Sequence, residues 1–197
     1  MPQPLKVDGS TSYSPNPKWV RDHRPECVSA VGLVAMAWTR VEQDLGQTIA
    51  SILGIKLVNG DQWGMSSNWL IYTVMQTAET NHARIKIVDA ILQPALLGHD
   101  LLSSWTELMA RLKKRARDRN VVVHTGWAWS EQHPTGVLRV TNNQFEIWVE
   151  RDFLDAFDRI AALEHDLHRF MVAVIQAVQE GTLVSPILKP ERINIDL

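Results

Sequence analysis

Residues 26–53 read ECVSAVGLVAMAWTRVEQDLGQTIASIL. Within them Val31, Val34, Trp38, Val41, Leu45, Ile49 and Ile52 recur at spacings of three and four, the interval that lines one face of an α-helix. A strand would need strict alternation and would be far shorter. A long amphipathic helix at this point commits the chain to a mainly α fold.

Three further stretches carry the same period. Residues 68–93 place Leu70, Val74, Ala78, Ile85, Val88 and Leu92 on a stripe, with a break expected near Thr80-Asn81 and an end at Pro94 and Gly98. Residues 100–119 use Leu101, Trp105, Leu108 and Leu112. Residues 152–180 use Phe153, Phe157, Ile160, Leu167, Met171, Val174 and Val178. Between the last two, Leu138 and Val140, then Phe145, Ile147 and Val149, alternate around Asn142-Asn143, the pattern of a β-hairpin over about 136–149. The expected architecture is a four-helix up-and-down bundle with a short hairpin inserted between the third and fourth helices. Such a hairpin is too short to stand alone and should lie against the bundle or a partner. Residues 1–24, with Pro2, Pro4, Pro15 and Pro17, read as an irregular arm; 25–180 form the helical domain, with 54–67 as a connection, and 181–197 form a tail.

Composition limits the function classes. A chain of 197 residues can bury a core without covalent staples. Its one cysteine, Cys27, allows no internal disulfide, which suits a reducing cytosol. The first residues lack a signal-peptide pattern and no apolar run is long enough to cross a bilayer, so the expected location is cytoplasmic, away from membranes. Eight tryptophans supply large anchors for packing or an interface. The net charge of −2 argues against a basic, non-specific nucleic-acid coat. Yet Arg111, Lys113, Lys114, Arg115, Arg117 and Arg119 place six cations in nine residues. That run reads either as a solvated helix end or as phosphate-contacting residues, with Lys113, Lys114, Arg115 and Arg117 as the RNA-binding candidates.

The run leads into Arg119-Asn120-Val121-Val122-Val123-His124-Thr125-Gly126-Trp127. Asn120 and His124 share a face on a helix and equally on a strand. Arg119 points elsewhere and needs a bend, or a second subunit, to converge on them. RNA cleavage by its own 2′-hydroxyl needs a base for that hydroxyl, an acid for the 5′-oxygen and a cation for the phosphoryl oxygens. Histidine, arginine and asparagine supply these without a metal. A plain structural reading, in which the three close a helix end, stays open beside it.

The segment resembles the signature of the HEPN superfamily, and the His124-Thr125-Gly126-Trp127 continuation is similar to that of many members. Residues 38–45 and 84–92 look like the first two helices of small bacterial HEPN proteins. The resemblance spans about 26–180. It implies a metal-independent endoribonuclease without cofactor, with Arg119, Asn120 and His124 in a composite site at a homodimer interface. It also implies a setting in toxin–antitoxin, defence or RNA-processing systems, with an antitoxin or other protein as partner. Some members are non-catalytic modules that bind a protein or nucleotide, and that alternative stays open. Glu42, at the edge of the first stripe, reads as a support that orients Arg119 or His124, or as an exposed carboxylate. Glu79-Thr80-Asn81-His82 supplies a single Glu-x-x-His, and His165 and His168 lie at unsuitable spacing, so no metal site is expected. Cys27 lacks a triad-like context, and no phosphate-binding glycine loop is present.

Overall fold

The computed structural model describes residues 3–6, 11–53, 69–141 and 144–183, with backbone alone at 3–6, 69, 70, 72, 141 and 144. These residues form β1 (Gln3–Lys6), α1 (Pro17–His23), α2 (Pro25–Ile52), α3 (Trp69–Thr77), α4 (Asn81–Ala95), α5 (Leu101–His124), β2 (Trp127–Ala128), β3 (Val137–Thr141), β4 (Gln144–Trp148) and α6 (Glu150–Gln179). The chain is mainly helical, with a small antiparallel sheet. Among the described residues no helix is long and apolar enough to cross a membrane.

The chain divides into two compact units, Met1–Thr39 with Arg115–Ala162 and Arg40–Lys114 with Leu163–Leu197. The boundaries fall inside α2, α5 and α6.

In the first unit the N-terminal arm departs from the irregular segment expected of it. Asn16 caps α1, its side chain accepting a hydrogen bond from the Lys18 amide at 2.9 Å, and Pro17 opens the helix. Proline suits that position because its missing N–H would be unpaired there in any case. Pro25 disfavours helical geometry at Arg24, so the chain turns there and α2 begins. Ser14 bridges to Trp129, and β1 joins the edge of the hairpin. The sheet runs β1-β4-β3-β2, all neighbours antiparallel, with Leu5 opposite Phe145 and Leu138 opposite Ile147. Ala128, Leu138 and Phe145 form its buried side, with Ile147 packed against them. The expected hairpin is thus half of a larger sheet that the arm completes. Its Asn142-Asn143 turn lies outside the described residues, as do the 54–67 connection and 184–197 of the tail.

Arg24 holds the approach to β3. Its guanidinium donates to the carbonyls of His133 and Gly136, each at 3.2 Å. A Cβ on Gly136 would lie 2.6 Å from the Trp148 carbonyl oxygen and 2.9 Å from the Ile147 side chain, so only glycine fits. At the start of α6 the Asp152 carboxylate accepts from the Val149 amide at 3.0 Å while the Asp152 amide donates to the Val149 carbonyl, a reciprocal cap.

In the second unit the stretch 68–93 holds two helices, parted at the Thr80-Asn81 break. Thr80 separates them by accepting from the Ala83 amide at 3.1 Å and capping α4. Arg84 then ties the pieces together, its Nε donating to the carbonyls of Met75 and Ala78. The core here centres on Trp105, fully buried, stacked on Phe170 with ring centroids 5.5 Å apart. Its indole N–H donates to Asp89 at 3.0 Å, which satisfies the polar atom that burial would otherwise strand. Leu45, Ile49, Leu92 and Leu112 are among the largest fully buried side chains, each worth about 1.5–3 kcal/mol of transfer free energy.

Candidate functional site

The conformation of residues 120–124 decides how the motif side chains face. The Val121–Val123 run allowed strand or helix. The chain is helical through His124, so α5 extends five residues past its expected end at Arg119. Val122 is fully buried, and the Trp127 indole donates to its carbonyl at 2.9 Å. That carbonyl lies in the last turn, where helix geometry supplies no partner. Trp127 in turn packs edge-on against Phe153 with centroids 4.9 Å apart and against Trp148 at 5.3 Å. Burial and this one hydrogen bond outweigh the strand preference of three valines.

On this helix the three motif residues come together. The Arg119 guanidinium donates to the Asn120 carbonyl oxygen at 3.2 Å, and the same Nη1 meets Nε2 of His124. No bend and no second subunit is needed for this convergence, contrary to expectation; the long arginine side chain curls along the helix. Asn120 and His124 are exposed and Arg119 is half-buried, so the imidazole is open to solvent. A guanidinium only donates. As a hydrogen bond the contact requires Nε2 of His124 to be the acceptor, with the ring proton on Nδ1.

The basic run separates by accessibility. Lys113, Lys114 and Arg117 are exposed on α5. Arg115 is not a free phosphate ligand: its side chain is 12% exposed and pairs with Asp118 at 2.6 Å. Asp118 also meets Arg159 of α6 at 3.6 Å, so it is a structural counter-ion. Glu42, expected to support the motif, accepts from Arg84 at 2.7 Å. The arginine on α4 satisfies that half-buried carboxylate.

Trp129 has protein neighbours too. It stacks on His23 at 4.7 Å and lies 5.2 Å from Trp19. Cys27 is buried, and burial pushes its thiol pKa up to about 11. Among the described residues no three His, Cys, Asp or Glu side chains are grouped to hold a metal ion. Sequence reasoning missed Arg24, whose hydrogen bonds reach more than a hundred positions along the chain. It also missed Asp44, buried in the stripe between Val41 and Leu45; a carboxylate at a stripe position was the available signal.

Compared with protein-family models, with curated proteins and with solved structures, the chain gives no match.

Proposed function

We propose that the chain is a metal-independent endoribonuclease of the HEPN type, active as a homodimer, in a toxin or defence setting. In this reading α2, α3 with α4, α5 and α6 are the helices of a HEPN-like up-and-down bundle. The observation that carries the reading is the solvent-open cluster of Arg119, Asn120 and His124 at the end of α5.

In the proposed reaction the 2′-oxygen of RNA attacks the adjacent phosphorus and the bond from phosphorus to the 5′-oxygen breaks. One imidazole takes the 2′-proton, and another protonates the leaving 5′-oxygen. A two-copy site provides both. Arg119 forks onto the phosphoryl oxygens, where its charge is fixed and its geometry is suitable. Before RNA arrives, Arg119 occupies Nε2 of His124. An incoming phosphate competes for the guanidinium and releases that lone pair to act as base. Asn120 positions the guanidinium, and exposed Arg117 adds attraction for the backbone. Val28, Leu33 and Met36 are exposed on α2 in the unit that holds the motif. These exposed apolar residues are the surface assigned to the second copy.

The second reading is a non-catalytic module that binds a partner protein, such as an antitoxin, or a nucleotide. The Arg119–His124 contact itself favours it, since a histidine held by arginine is also a rigid binding surface. RNA incubated with purified protein in EDTA separates the two. The nuclease reading expects cleavage by wild type and its loss in His124→Ala; identical products from both proteins would leave the binding module.

A further inference from the structure

The second unit holds a cleft of about 320 Å³, at the small end of the range for organic ligands. Arg40, Gln43, Asp44 and Gln47 line it from α2, with Glu164, His165 and His168 from α6. Asp44 is unusual among them. It is only 8% exposed, yet its Oδ2 has no hydrogen-bond partner. Its Oδ1 lies 3.6 Å from Nδ1 of His168, beyond hydrogen-bond reach. Buried carboxylates ordinarily accept two or more hydrogen bonds, and an open acceptor is costly. The fold tolerates this cost at the wall of a cavity.

The lining indicates what completes the site. Asp44 and Glu164 are carboxylates, and Gln43 and Gln47 carry amide carbonyls, so acceptors predominate. Arg40 is the fixed cation, and it disfavours a ligand charge placed beside it. A bare metal ion is the poorer fit, because among the described residues no three potential ligands are grouped for one. An organic cation carries its own N–H donors and needs no such convergence.

We infer that this cleft binds a small organic cation, an alkyl ammonium or guanidinium, with Asp44 as its anchor and Glu164 as a second acceptor. Burial also raises the Asp44 carboxyl above its ordinary range, with Glu164 adding to the effect and His168 and Arg40 opposing it. A cation donating to the carboxylate reverses that penalty. The inference is independent of the nuclease reading, since every lining residue lies in the other unit.

Calorimetric titration of the full chain with putrescine and with agmatine at neutral pH tests it. The expected result is saturable binding at one site, weakened about tenfold or more in Asp44→Asn, in keeping with loss of a charge-assisted hydrogen bond. Asp158→Asn, an equal charge change at an exposed position outside the cleft, should bind as wild type does. Absence of binding by both amines at millimolar concentration overturns the inference. So does unchanged binding by Asp44→Asn. One-site binding of Mn²⁺ or Zn²⁺ that Asp44→Asn abolishes, without amine binding, would replace the organic cation with a metal.

Discussion

Arg119 and His124 lie five positions apart on one uninterrupted helix, and the guanidinium of the first meets Nε2 of the second. Since arginine cannot accept, a hydrogen bond here calls for the Nδ1–H tautomer of His124. Long-range nitrogen–proton correlation spectra of the free protein should show His124 as the Nδ1–H form. In Arg119→Ala the ring should shift toward the mixture of tautomers seen for an unconstrained imidazole. An Nε2–H form in wild type would contradict the contact.

Arg119 is also asked to bind phosphate, which lysine does poorly as a point charge without a fork. Arg119→Lys should lower RNA turnover by about tenfold or more while leaving the helix content unchanged. Turnover and circular dichroism, measured together, check both halves.

The end of α5 depends on one indole. Trp127→Phe keeps most of the aromatic packing on Phe153 and Trp148 but removes the donor to the Val122 carbonyl. The expected loss is about 0.5–1.5 kcal/mol of stability. Hydrogen exchange should speed up selectively over residues 121–124. RNA turnover should fall as the imidazole loses its fixed platform.

Gly136 has no room for a methyl group against the Trp148 carbonyl. Gly136→Ala should therefore cost about 1–3 kcal/mol, as overpacking does elsewhere. In a chain of this size each kcal/mol lowers the Tm by about 2–4 °C. Thermal unfolding reads the change.

Two titrating groups give pH predictions. The Cys27 thiol, buried and raised to about 11, should resist iodoacetamide at pH 8 in the folded protein and react readily in denaturant. The Asp44 carboxyl is raised in the folded state, so the fold holds its proton more tightly than the unfolded chain does. Its contribution to stability is greatest below the ordinary carboxylate range and declines as pH rises through the folded value. Asp44→Asn should then raise the Tm near neutrality. The advantage should shrink in acid, where wild type is protonated in both states.

Much of this architecture was legible because it is written in local periodicity. The stripes of α2 and α6, and the alternation of β3 and β4, need only neighbouring residues to be recognised. The Asn16-Pro17 start of α1 was also a local signal, but four prolines in the arm drew the reading toward irregular chain. β1 carries no such signal; its strand character comes from pairing with Phe145 and Ile147 far along the sequence. Likewise Glu42 finds Arg84, 42 positions away, and nothing near Glu42 announces that partner. At the motif, sequence placed Asn120 and His124 on one face. It could not choose helix over strand, because the choice rests on the burial of Val122 and the reach of Trp127. The convergence of Arg119 was missed because spacing rules follow Cβ directions, whereas arginine's flexible stem spans a full turn.

In the proposed reaction RNA is cut through its own 2′-hydroxyl. The most direct test is end-group analysis of a defined RNA after incubation with the wild-type protein in EDTA, beside an otherwise identical strand lacking 2′-hydroxyls. The account expects fragments ending in 2′,3′-cyclic phosphate and beginning with 5′-hydroxyl, with the deoxy strand intact. Cleavage of the deoxy strand, 5′-phosphate ends, or no cleavage of any RNA offered would contradict it.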